Sequence, residues 1–295
     1  MPKTKEWHWY VEEFAPAERH HHAVDELYYS GHSEFQQIAV LRSPVFGKML
    51  VLDGDTQSAQ ADERIYHETL VHPALAGAAE RREVLILGGG EGATLREVLR
   101  SPEVGRCTMV DIDALVVDLA KKYLPEWSAG SFDDPRARVV VGDALAFMRA
   151  NDERYDVIIS DLTEPLADSP SNPLFNDEVF RLIKSRLAPG GVYVLQASTA
   201  AVHNAELHCK MARTLRPHYA HVVSFSTHVP AFDTEWAFLA CSDRVELAAL
   251  DPKRIDAYCA ALRGESFFYD ASTHRRLFAL PLYLRRMLAA GGDTF

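Results

Sequence analysis

Four carboxylates stand at comparable points of four successive apolar runs: Glu91, Asp111, Asp143 and Asp161. Each follows a stretch that reads as a buried strand: Glu83–Leu87, Cys107–Val110, Ala137–Val141 and Tyr155–Ser160. Taken singly, any of them reads as a helix cap or a turn residue. Four in order along one sheet edge read as a binding site, because ligands of open parallel sheets lie outside the carboxyl ends of the strands. Asp111 follows the glycine turn at the separation where an acid accepts both hydroxyls of a ribose, and Asp143 is placed to accept from an adenine amino group. A nucleoside is the expected ligand.

The turn itself is Gly88-Gly89-Gly90-Glu91-Gly92. Gly88, Gly90 and Ala93 fit a dinucleotide fingerprint; Gly88, Gly90 and Gly92 fit the shorter form of enzymes that bind sulfonium nucleosides. Glu91 separates these readings by charge. It would repel a pyrophosphate, or the carboxylate of S-adenosylmethionine, and attract a tail that is only positive. Decarboxylated S-adenosylmethionine, with a sulfonium, a three-carbon chain and an ammonium, fits that requirement. Further on, Asp161 and Glu164 stand three apart before a proline-containing loop, Leu166 to Leu174. Alkyl transfer from a sulfonium to an amine needs a group that takes the amine's proton, and a carboxylate assisted by a tyrosine hydroxyl would serve. The loop would cover the site and exclude water. The same segment reads equally as an ordinary strand-to-loop turn.

The elements that must position these residues follow from periodicity. From Trp7 to Asp55, alternation broken by Pro and Gly turn signals predicts a small antiparallel sheet, so residues 1–60 are expected as an N-terminal β domain. Within it, His20-His21-His22 is expected in a solvated or locally packed loop. Asp62 to Ala79 is expected to be helical, with Pro73 as a kink. His67 and His72 are five apart, about 140° around a helix, which does not match the four-residue spacing of a zinc helix. Beyond Arg81, strands alternate with helices, and strand five, Val192–Gln196, follows the turn Pro189-Gly190-Gly191. Residues 61–295 are expected as a Rossmann-like, class I methyltransferase-like α/β domain with a mostly parallel sheet, closed by C-terminal helices.

The 295 residues carry a net charge of −11, with 47% hydrophobic and 25% charged residues. An acidic chain with no basic run argues against nucleic acid or an anionic membrane as partner and suits a polycationic substrate. The four scattered cysteines read as reduced thiols of a cytoplasmic protein. No metal is expected.

In combination these motifs resemble the polyamine aminopropyltransferases, spermidine synthase and its relatives, across almost the whole chain. The matching segments are LVLDG (Leu50–Gly54) with Gln57, IYHETLVHPAL (Ile65–Leu75), GGGEGATLREVL (Gly88–Leu99), DID (Asp111–Asp113), GDA (Gly142–Ala144) and DLTEP (Asp161–Pro165). The resemblance implies aminopropyl transfer from decarboxylated S-adenosylmethionine to a polyamine, release of 5′-methylthioadenosine, and a homodimer or homotetramer. It implies a donor-binding set of Gln36, Gly88, Gly90, Glu91, Asp111 and Asp143, with Asp161 receiving the proton beside Tyr66. Gln57 and Gln196 match cleft positions. Glu164 replaces the family's usual shorter Asp.

Other departures bear on the acceptor. Spermidine synthases typically read Tyr-Gln-Glu where this chain has Tyr66-His67-Glu68, and Pro-Thr-Tyr-Pro-Ser-Gly where it has Pro230 to Glu235. These variants are more similar to thermospermine synthase and to the thermophile triamine/agmatine branch. His67, Phe232, Asp233 and Glu235 thereby become acceptor-side candidates, the two acids either holding a distal ammonium or lying on the surface. The acceptors in view are spermidine, putrescine and agmatine. An S-adenosylmethionine-dependent N-methyltransferase and a non-catalytic polyamine binder are the alternatives from other classes.

Overall fold

The alternation that opens the chain folds as antiparallel sheet in a computed structural model, which describes residues 7–15, 17–165 and 170–290. β1 (His8–Ala15) and β2 (Glu18–Val24) form a two-stranded ribbon. β3 (Glu26–His32), β4 (Gln37–Ser43), β5 (Gly47–Leu52) and β6 (Asp55–Ala59) form a four-stranded meander. The loop expected at His20–His22 is not observed: all three residues lie in β2. Their rings pair across the ribbon, His20 stacking on Phe14 and His22 on Tyr10, and cross-strand ring contacts of this kind stabilise a sheet.

A buried helix, α1 (Glu63–Gly77), runs through Pro73 and leads into the second half. There β7 (Glu83–Gly88), α2 (Ala93–Leu99), β8 (Arg106–Asp111), α3 (Ala114–Tyr123), α4 (Pro125–Ser128), β9 (Ala137–Val141), α5 (Ala144–Ala150) and β10 (Tyr155–Asp161) alternate. Then come α6 (Asp177–Arg186), β11 (Leu187–Thr199), α7 (Glu206–Leu215), β12 (His221–Val229), β13 (Thr234–Ser242), α8 (Pro252–Ala261), α9 (Ala271–Leu277) and α10 (Leu282–Ala289). The seven-stranded sheet has the order β12-β13-β11-β10-β7-β8-β9, with β13 antiparallel to both neighbours and β7 to β11 parallel. This is the expected α/β class. The turn expected at Pro189–Gly191 is a bulge within β11: Tyr155 pairs Leu187 and Val157 pairs Val192, so extra residues loop out on one strand.

The central strands are buried on both faces, as parallel strands covered by helices must be. Val84 and Ile86 of β7 pack with α1 and α2 residues such as Leu70 and Leu95, while Leu85 and Leu87 pack on the opposite side with Phe180 and Ile183 of α6. The N-terminal meander docks near the glycine turn: Ile38, Val40, Leu50 and Leu52 form one cluster with Ala93, Val116 and Trp127. Strand order reverses between β7 and β10, which creates a crevice at their carboxyl ends. The meander walls that crevice. Among the described residues no helix is long and apolar enough to cross a membrane.

Candidate active site

At the reversal, β7 and β10 come as close as backbone allows. The Gly89 N–H donates to the Asp161 carbonyl at 2.9 Å. Gly88 has φ of 82°, and a Cβ there would sit 2.2 Å from that carbonyl oxygen, so only glycine fits. Asp161, at the end of β10, accepts from the Tyr66 hydroxyl at 2.8 Å on Oδ1 and from Thr94 at 2.6 Å on Oδ2. Burial, then the neighbouring Asp161, holds the Tyr66 phenol well above its usual range. Tyr66 therefore stays neutral and donates to the carboxylate; each carboxylate oxygen keeps a lone pair for another donor.

On one side lies a cavity of ≈ 120 Å³ whose lining includes Gln36, Gly88, Gly90, Glu91, Asp111, Asp143 and Asp161. Asp111 accepts from the N–H groups of Gly90 (2.8 Å) and Asp113 (2.9 Å), and burial raises its carboxyl to about 6. A Cβ on Gly90 would approach its Oδ2 to 2.7 Å. Asp143 is exposed and caps α5 through the Ala146 N–H at 2.5 Å, so the capping reading and the cavity-lining reading hold together. Gln36 donates to Asp113 at 2.9 Å, tying the loop before β4 to the turn after β8.

Glu91 is buried but is not a bare charge. Its Oε1 lies 2.7 Å from His67 Nε2, and its Oε2 accepts from Ser58 at 2.7 Å. Ser58 accepts in turn from the Trp127 indole at 2.9 Å. His67, expected among acceptor-side residues, is brought against Glu91. It lies behind Glu91, 1% exposed, and lines neither cavity. Five residues along α1, His72 turns elsewhere, to Tyr258 (2.8 Å) and Glu97 (3.0 Å).

A second cavity, of ≈ 490 Å³, meets the first at Leu52, Gln57, Tyr66, Leu162 and Thr163. Glu12, Asp55, Glu164, Gln196, Phe232 and Trp236 are among its walls. Gln196 donates to the Leu162 carbonyl at 2.6 Å and so holds the segment after Asp161. Burial raises the Asp55 carboxyl to about 6, with Glu12 and Glu164 adding to the effect; burial also pushes the Glu164 carboxyl upward, against a hydrogen bond from Ser198. Among the described lining residues there is no Lys, Arg or His. The wall is built to be met by cations.

Glu12, Asp55 and Trp236 were not expected from sequence. Glu12 is fixed from β1 by the Thr56 N–H (2.9 Å) and hydroxyl (3.0 Å) of β6. Asp233 and Glu235, which were expected near the acceptor, line neither cavity. Asp233 is exposed in a left-handed conformation (φ 49°) ahead of β13, and Glu235 accepts from Ser226 at 2.8 Å. Successive residues of a strand face opposite ways, so the cavity receives Trp236 instead. Of the expected covering loop, residues 166–169 lie outside the described residues, while Pro170, Ser171 and Leu174 line the first cavity.

The chain matches two family models in succession, the spermidine synthase tetramerisation domain over residues 8–60 and the spermine/spermidine synthase domain over residues 63–251. It belongs to the spermidine synthase family. A polyamine aminopropyltransferase of Sulfolobus acidocaldarius is 42% identical over 284 residues, covering 96% of this chain and 94% of the relative. One from Aeropyrum pernix is 45% identical over 238 residues, covering 80% and 76%. Among solved structures, a spermidine synthase in complex with the transition-state analogue AdoDATO superposes with a TM-score of 0.89 at 27% identity, covering 98% of this chain and 99% of that one. The spermidine synthase of Thermotoga maritima superposes with a TM-score of 0.88 at 28% identity, covering 97% and 96%.

Proposed function

We propose that this polyamine aminopropyltransferase carries the aminopropyl group of decarboxylated S-adenosylmethionine to a triamine such as spermidine. The nucleoside would occupy the smaller cavity, its ribose on Asp111, its adenine near Asp143, and its ammonium on Glu91. The acceptor would lie in the larger one, its reacting amine at the junction beside Tyr66. There Asp161 takes a proton from the acceptor's reacting ammonium, with Tyr66 orienting the carboxylate. The freed lone pair forms the new C–N bond as the C–S bond breaks. The departing pair stays on sulfur and 5′-methylthioadenosine is released as a neutral thioether. Holding both reactants in one crevice removes most of the entropic cost of their encounter.

The observation that carries the acceptor reading is the cluster of Glu12, Asp55 and Glu164 on the larger cavity, beyond Asp161, with no Lys, Arg or His among the described lining and His22 Nε2 3.6 Å behind Glu12. A diamine offers one distal ammonium to this cluster; a triamine offers two. The test is a mixed-acceptor assay with putrescine, agmatine and spermidine at equal concentration, products identified by mass. Spermidine should be consumed first. Preferential consumption of putrescine or agmatine would overturn the assignment.

Residues 8–60 would mediate self-association into a homodimer or homotetramer. Trp9 and Val11 of β1 and Leu27 of β3 are 56%, 42% and 60% exposed there, apolar side chains that self-association would cover. Sedimentation equilibrium should show more than one chain per particle; a monomer at micromolar concentration would contradict this.

A further inference from the structure

The Asp161 carboxylate is held on both oxygens, and from two different helices. Oδ1 accepts from the Tyr66 hydroxyl of α1 at 2.8 Å, and Oδ2 from the Thr94 hydroxyl of α2 at 2.6 Å. The helices keep these two hydroxyls at a fixed separation. Arg96 of α2 grips Glu63 of α1 through N–H bonds of 2.9 and 2.8 Å, and His72 of α1 meets Glu97 of α2 at 3.0 Å. Gly89 closes a third side: its φ is 74°, and a Cβ there would stand 3.2 Å from Oδ2. Thr94 itself is fully buried in the first turn of α2. A threonine that only packs in a helix commonly spends its hydroxyl on a carbonyl three or four residues back. Thr69 of α1 does so, bonding the Ile65 carbonyl at 2.6 Å. Thr94 instead reaches out of its helix to the end of β10.

We propose that Thr94 is a positioning residue for the transfer: with Tyr66 it fixes the plane of the Asp161 carboxylate, so that a free lone pair faces the acceptor's ammonium before the acceptor binds. The proposal rests on the reading of Asp161 as the group that takes the proton. An aspartate carboxylate turns easily about its last torsion, whose wells are broad and roughly two-fold. One hydrogen bond lets the plane swing about the bonded oxygen. Two, from helices that cannot move apart, hold it still. Each oxygen then keeps one in-plane lone pair, and the plane decides where a proton can be received. A reacting group displaced by about 1 Å can cost on the order of 10² in rate, so a carboxylate free to swing spends much of its time out of line.

Two pairs of full-length enzymes isolate the hydroxyl: the parent against Thr94→Val, and Thr94→Ser against Thr94→Ala. In each pair the member without the hydroxyl should lose kcat about tenfold, with both KM values within about twofold and methylthioadenosine affinity unchanged by calorimetry. Thr94→Ser should stay within about threefold of the parent kcat. Crystal structures of the ligand-free enzymes at high resolution read the orientation itself. The Asp161 carboxylate should show one plane in the parent and in Thr94→Ser, and a rotated or split plane in Thr94→Val and Thr94→Ala. A plane that does not move when the hydroxyl is removed, or equal kcat in Thr94→Ser and Thr94→Ala, would overturn the proposal. Should Asp161→Asn keep its turnover, the reading of Asp161 falls instead, and the planes seen in the crystals distinguish that failure from this one.

Discussion

On the donor side of the cleft each carboxylate is fixed by hydrogen-bond donors; on the acceptor side Glu12 and Glu164 are fixed too, but both crowd Asp55. Asp111 takes two backbone N–H groups, Asp143 caps a helix, and Glu91 is gripped by His67 and Ser58. Glu12 is anchored to Thr56, but Asp55 is pushed to about 6 by burial and then by Glu12 and Glu164. The donor site is thus preorganised for one fixed ligand, because its groups need not reorganise when it binds. The acceptor site stores unfavourable like-charge proximity that a polycation relieves. Under the proposed function, donor recognition is set by direction, and acceptor recognition by the amount and spacing of charge.

The junction between the two sides should be the most sensitive point. Asp161→Asn is expected to lower kcat by about 10²–10⁴-fold while methylthioadenosine still binds, measured by steady-state rates and calorimetry; retained turnover would remove Asp161 from the proton transfer. Next, Glu91→Gln should raise the donor KM by roughly ten- to a hundredfold, leave the acceptor KM nearly unchanged, and weaken discrimination against S-adenosylmethionine. Equal effects on both substrates would erase the division between the two sides.

Acid should act on both sides, through different residues. Asp111 and Asp55 are both raised to about 6, so they lose their charge as pH falls through that value. kcat/KM for donor and for acceptor should each decline by about tenfold per unit below it. Asp55→Asn should abolish the acceptor limb and spare the donor limb. For stability the sign is reversed. A carboxyl raised in the fold contributes stability below its unfolded value and loses it as pH rises through about 6, so spermidine should stabilise the enzyme more at pH 8 than at pH 5 in thermal unfolding. The smallest effect belongs to Asp143. Asparagine caps a helix about as well as aspartate, so Asp143→Asn should leave Tm unchanged and weaken donor binding only a few-fold; Asp143→Ala should in addition cost about 1 kcal/mol of stability.

This division also explains what could be read from sequence. Glu91, Asp111, Asp143 and Asp161 lie within one run of alternating strands and helices, so the period of the pattern places all four on one edge. The glycines announce close backbone approach, and Gly88 and Gly90 make it against Asp161 and Asp111. The acceptor wall has no such local signature. Apart from Glu164, which stands three residues after Asp161, its residues are scattered: Glu12 comes from β1, Asp55 from β6 and Trp236 from β13, and only the docking of the meander on the parallel sheet brings them together. Asp233 and Glu235 were attractive as acids near a family motif, yet strand alternation sends Trp236 inward instead. The contact of His67 with Glu91 was not legible either, because a helix that is buried nearly all round gives no periodic cue to which face meets the cleft.

The division of labour is tested most directly by one ratio, kcat/KM for spermidine over kcat/KM for putrescine, in the parent enzyme and in Asp55→Asn/Glu164→Gln. The account predicts that the ratio exceeds one in the parent and falls by about tenfold or more in the variant, with the donor KM unchanged. A ratio that favours putrescine in the parent, or that does not move when both acids are neutralised, would contradict it.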